Sequence, residues 1–149
     1  MNNLSLKHRL MMPAEWEHHY ATLLSWPSNR ETWPNNRLQR VENVYVQIIQ
    51  ALSKFEKIIL LVENSEVFER VQSLLSNKRI TVENLDIKVW SINDVWTRDY
   101  GPIFVKYEED FVITDWEFNA WGEKYPPWDS DNEVPSYLAN LLKIDAVNT

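Results

Sequence analysis

Residues 37 to 62 carry two adjoining patterns that few architectures satisfy together. Leu38, Val41, Tyr45, Ile48, Leu52 and Phe55 recur at steps of three and four, which sets them along one face of a helix over Arg37–Phe55. Ile58-Ile59-Leu60-Leu61-Val62 follows directly, an unbroken apolar run of strand length. A strand with one wet face alternates apolar and polar residues, whereas an unbroken run marks a strand covered on both faces. A helix feeding such a strand predicts an α/β architecture.

The flanking segments extend the alternation. Thr22–Trp26, ending at Pro27, predicts an earlier strand, and Ile87–Trp90 a later one after the polar link around Asn84. Between them, Asn64 or Ser65 is placed to cap a second helix carrying Val67, Phe68, Val71, Leu74 and Leu75, with Glu66 near its positive end and a stop near Asn77. The order is β-α-β-α-β. Further on, Ile103–Tyr107 and Phe111–Trp116 predict a hairpin turned by Glu108-Glu109-Asp110. Val134–Leu142 predicts a third helix, with Asp131 or Asn132 near its start and Pro135 in its first turn. No closing strand is legible after it.

Composition narrows the function classes. At 149 residues the chain has the length of one domain. Acidic residues outnumber basic ones, 22 to 15, for a formal charge of -7, so the basic excess that phosphate backbones require is missing and nucleic acid is not an expected partner. With no cysteine, the chain holds no disulfide, thiolate metal ligand or cysteine nucleophile of its own. Met1–Met12 lacks the apolar run of a signal peptide, and nothing reaches the roughly 18 apolar residues of a membrane span, so a cytoplasmic protein without membrane contacts is expected. His18 and His19 stand beside Glu15 and Glu17, yet adjacent side chains point apart and His8 is the only other histidine, so no metal site is expected. Gly101 and Gly122 stand alone, which leaves no phosphate-cradling loop and no cofactor.

Chemistry concentrates in two places. Asn93–Pro102 follows a predicted strand and carries Trp96, Arg98 and Asp99 before Gly101-Pro102 turns the chain away. Trp96 and Asp99, three apart, share one side of a single turn. A guanidinium is planar, charged and forked, so its receptors are a carboxylate accepting two parallel hydrogen bonds and an aromatic face, and this pair offers one of each. The competing reading has Asp99 pairing with Arg98 or a backbone amide, and Trp96 filling the core. The second place is Asp115–Tyr125, dense in aromatic and acidic groups around Gly122. Asn119 and Trp121 are its candidate ligand contacts; alternatively, Trp116, Phe118 and Ala120 alternate as the buried face of a strand would.

Three segments resemble one family. Met12-Pro13-Ala14-Glu15-Trp16-Glu17-His18-His19, with Ala21-Thr22 and Ser25-Trp26-Pro27 behind it, is similar to the opening of agmatine deiminases and their bacterial peptidyl-arginine deiminase relatives. Asn93-Asp94-Val95-Trp96-Thr97-Arg98-Asp99-Tyr100-Gly101-Pro102 and Phe118-Asn119-Ala120-Trp121-Gly122 resemble the same family, in its order and at about its spacing. His18 departs from it, standing where many relatives have proline. The resemblance implies part of a five-bladed α/β propeller of guanidino-group-modifying enzymes, about two β-β-α-β blades. It also implies that a thiolate attacks the guanidinium carbon, ammonia leaves, and water releases a ureido product. Asp99 matches a guanidinium-binding carboxylate and Trp96 the aromatic residue beside the substrate, whereas Arg98 takes a structural role.

The nucleophilic cysteine, the histidine and the second carboxylate of that family lie beyond this sequence, so it is expected to be an N-terminal portion, inactive alone. The stretch from Asn119 to Trp121 holds no arginine to anchor a substrate carboxylate, which favours agmatine over peptidyl-arginine. A tryptophan-rich binding module without chemistry is the alternative. Open blade edges predict self-association, as a homo-oligomer or with a C-terminal part.

Overall fold

The computed structural model describes residues 10–78, 83–108 and 110–148. It is a mixed α/β structure with two sheets. The first has order β2-β3-β4, all parallel, from β2 (Ala21–Ser25), β3 (Lys57–Val62) and β4 (Leu85–Val89). The crossovers are α1 (Arg37–Leu52) and α2 (Ser65–Asn77), so the predicted β-α-β-α-β order is the one observed.

β3 is the central strand, and its two faces feed two cores. Ile58, Leu60 and Val62 pack with Trp26, with Val46 and Ile49 of α1, and with Val71 and Leu75 of α2. Ile59 and Leu61 face the other way, toward Ile92, Tyr100 and residues Val134 and Leu138 of α6 (Val134–Leu142). The five residues Ile58–Val62 are each at most 4% exposed. At about 1.5–3 kcal/mol per buried aliphatic side chain, this strand contributes on the order of 10 kcal/mol, an upper figure. Glu42 is buried on the same face of α1 and is neutralised by Arg70 of α2, Nη2 to Oε2 at 2.8 Å.

The second sheet has order β1-β5-β6-β7, from β1 (Leu10–Met11), β5 (Ile103–Tyr107), β6 (Asp110–Asp115) and β7 (Asp145–Asn148). β5 and β6 form the predicted antiparallel hairpin, and α6 returns the chain so that β7 runs parallel to β6. The run β5-β6-α6-β7 is a β-β-α-β unit; the first sheet is not one, since its strands are parallel and linked by helices throughout. α6 also packs against β6 and β7, so one helix serves both sheets. Among the described residues no helix is long and apolar enough to cross a membrane.

Several elements differ from the sequence expectation. α1 ends at Leu52, and Phe55 is 87% exposed, because the amides of Phe55 and Glu56 both turn back to the Leu52 carbonyl so that β3 can begin at Lys57. Asn64 is the cap of α2: its Oδ1 accepts from the Val67 amide at 3.0 Å. In the hairpin turn, Glu108 is left-handed at φ 55, while Glu109 lies outside the described residues. No buried strand runs through Trp116, Phe118 and Ala120, because the β6 ladder ends at Asp115 and the Phe118 amide donates to Asn132 Oδ1 at 2.6 Å instead. A closing strand does exist, β7, too short and polar at Asp145-Ala146-Val147-Asn148 to register in the sequence.

Candidate functional site

The Asn93–Asp99 loop leaves β4 and winds into α3 (Thr97–Tyr100), one turn closed by the Gly101 amide on the Thr97 carbonyl at 3.0 Å. The turn brings Trp96 and Asp99 to the wall of one open cavity of about 790 Å³. Beneath them Tyr100 is buried, its hydroxyl 2.8 Å from the Asp94 carbonyl, to which it donates, and 2.6 Å from Ser25 Oγ. Burial pushes this phenol well above the ordinary range, so it remains a neutral donor.

Asp94 and Asp131 hold the loop. Asp94 Oδ1 accepts from the Val95 amide at 2.8 Å, and its Oδ2 accepts from Thr32 Oγ1. Asp131, in the short turn α5 (Asp129–Asn132), is 3% exposed. Its Oδ1 accepts from the amides of Asn93 at 2.7 Å and Asp94 at 3.3 Å, while its own amide donates to Asn93 Oδ1 at 3.1 Å. Burial, opposed by those two amide bonds, pushes its carboxyl up to about 6.

The facing wall is aromatic. Trp96 meets Trp121 edge-on at 6.3 Å between ring centroids, Trp121 meets Phe118 at 5.4 Å and Tyr125 at 5.9 Å, and Trp128 completes the lining. Trp121 is carried on α4 (Ala120–Glu123), a single turn in which all four residues have positive φ: 49, 58, 80 and 63. Left-handed backbone costs roughly 1–2 kcal/mol per residue with a side chain, and strain of this kind collects where side-chain placement matters. Asn119 stabilises the turn, its Oδ1 accepting from the Gly122 amide at 2.9 Å.

Of the residues singled out in the sequence, Trp96, Asp99 and Trp121 line the cavity together, and Asn119 is not among the lining residues. Asp99 does not pair with Arg98, which lies 3.9 Å from Glu15 on an exposed surface; among the described residues its carboxylate has no hydrogen-bond or ion-pair partner. Trp96 is 43% exposed and fills no core. Glu31, Asp94, Asp99 and Asp131 line the cavity against a single Lys124, a field that favours a cationic ligand. No group of three or more potential ligands is placed to hold a metal among the described residues. Asp131, Tyr125 and Trp128 were missed as site residues: Asp131 reads as a helix cap, and nothing local reveals a bond to a loop 38 residues away.

Residues 11–149 match the family model of the Porphyromonas-type peptidyl-arginine deiminases. The chain belongs to that family. Within it, the chain is 32% identical over 154 residues to a candidate agmatine deiminase of Mycoplasma mycoides, a match covering all of this chain and 40% of that protein. Among solved structures, the agmatine deiminase of Enterococcus faecalis superposes with a TM-score of 0.82 at 26% identity, over 94% of this chain and 38% of that one. A variant of the C. jejuni agmatine deiminase with substrate bound superposes with a TM-score of 0.81 at 25% identity, over 100% of this chain and 42% of that one. This deiminase-family chain thus spans about 40% of the length of the relatives it matches.

Proposed function

We propose that the chain supplies the guanidinium-holding part of a cytoplasmic agmatine-type deiminase. Asp99 accepts the two parallel N–H groups of the cation, and Trp96 offers its ring face beside it, with Trp121 standing edge-on to Trp96. The observation that carries this reading is the Asp99 carboxylate, without a partner among the described residues and three positions from Trp96, on the wall of a carboxylate-lined cavity. The names of the relatives support the same substrate class.

The reaction proposed for the whole enzyme is hydrolysis of a guanidinium C–N bond. A nucleophile adds to the guanidinium carbon, ammonia departs with a proton from an acid, and water displaces the enzyme to give the ureido product, N-carbamoylputrescine from agmatine, a step toward putrescine. This chain has no cysteine and performs the holding step alone. The β5-β6-α6-β7 unit supports reading the second sheet as one blade of a five-bladed propeller.

Lys124 favours a second reading. Its presence on the cavity wall gives a substrate carboxylate something to meet, as an arginine at the C-terminus of a peptide would require. Calorimetric titration with agmatine and with an arginine peptide separates the two. Agmatine is expected to bind more tightly, and Asp99→Asn to weaken it about 10- to 100-fold through loss of a charge-assisted pair. Saccharide binding indifferent to Asp99 would replace both readings with an aromatic platform. Ureido product released from agmatine by the purified chain would refute the claim that it only holds.

A further inference from the structure

The two walls of the cavity come from segments far apart in sequence, and one carboxylate ties them. We infer that Asp131 is a positioning residue for the cation grip: through Asn93 and Asp94 it fixes where α3 presents Trp96 and Asp99 to the aromatic wall. Three bonds join Asp131 to the loop in both directions, two amides donating to its Oδ1 and its own amide donating to Asn93 Oδ1. On its other side the same α5 turn fixes the aromatic wall, since Asn132 Oδ1 accepts from the Phe118 amide. Adjacent residues of one short turn therefore hold both halves of the site.

The loop has few alternatives. Its remaining ties are Asn29 Nδ2 to the Asn93 carbonyl at 3.3 Å, Thr32 on Asp94, and Tyr100 on the Asp94 carbonyl. None of these satisfies the Asn93 and Asp94 amides, which point at Asp131. Removing the acceptor leaves two part-buried N–H groups unpaired, and the least costly repair is to rotate the loop toward water. Because α3 starts four residues after Asn93, that rotation moves Asp99 directly.

This inference rests on the proposed cation site, and its test separates the two. Asp131→Asn keeps an Oδ1 acceptor without the charge, whereas Asp131→Ala keeps neither. Amide hydrogen exchange at Asn93 and Asp94, with agmatine affinity by calorimetry, is measured in the full chain. Asp131→Ala is expected to speed exchange at both amides and weaken agmatine about tenfold or more, whereas Asp131→Asn, which keeps the acceptor and loses only one carboxylate of the cavity's field, is expected to keep near-unaltered exchange and to weaken agmatine much less. Unchanged exchange in Asp131→Ala, or Asp131→Asn as weak as Asp131→Ala, would overturn the positioning role. Should Asp131→Ala not fold, Asn93→Ala removes the return bond from the other side, and unchanged agmatine affinity in it is equally contrary. Faster exchange in a chain that never binds agmatine would sink the cation site and leave the positioning role standing.

Discussion

Two acidic residues of the cavity wall stand in opposite surroundings. Asp99 is exposed and without a partner among the described residues, open to the proposed cation, whereas Asp131 is buried with its Oδ1 committed to two backbone amides. Burial penalises the charged form of Asp131, so its folded carboxyl titrates at about 6 against an ordinary 3.8. Between those values the folded chain holds a proton that the unfolded chain has released. Stability from this group is therefore fully present below the unfolded value, declines as pH rises through the folded one, and is level above it. The interval is about 2 in pH, equivalent to about 3 kcal/mol. Urea unfolding at pH 4 and pH 7 should show the advantage of the unaltered chain over Asp131→Asn shrinking by that order; a difference independent of pH would contradict it. At this scale the sequence was half legible. That Trp96 and Asp99 share one wall was readable because three-residue spacing is local, and the place of Asp131 was not, because its partners sit 37 and 38 residues away.

At the level of elements, legibility followed burial. α1 and α2 declared themselves because a covered face imposes a period on the sequence, β3 through an unbroken apolar run and α6 through its start signals, while the stretch from Trp116 to Trp128 obeys no period. It is shaped by a left-handed turn and by side-chain bonds from Asn119 and Asn132. The most exacting joint lies at the end of α3. A Cβ on Gly101 would stand 2.3 Å from the Thr97 carbonyl oxygen, the same oxygen that closes the turn. That contact is with backbone, so something must shift. Gly101→Ala is expected to cost about 1–3 kcal/mol, as overpacking does, and to weaken agmatine binding because Asp99 lies inside the displaced turn. Urea midpoints and calorimetry check both halves, and a neutral outcome in stability would show the turn to be softer than its geometry suggests.

Taken whole, the molecule is held by a helix with two obligations, since α6 closes the second core of the first sheet and packs on β6 and β7 of the other. Strand edges remain at β2 and β4, and Trp16 and Phe55 stand 89% and 87% exposed. Unpaired strand backbone beside apolar surface favours association, so light scattering is expected to report a mass above the monomer that grows with concentration; a clean monomer throughout would count against it. The left-handed turn at Ala120–Glu123 bears on how such a chain would change under selection. Only two glycines occur in its 149 residues, and one already sits in that turn. A laboratory lineage selected for thermal endurance alone would drift toward further glycine there, first at exposed Glu123 and last at Trp121, whose ring meets three others.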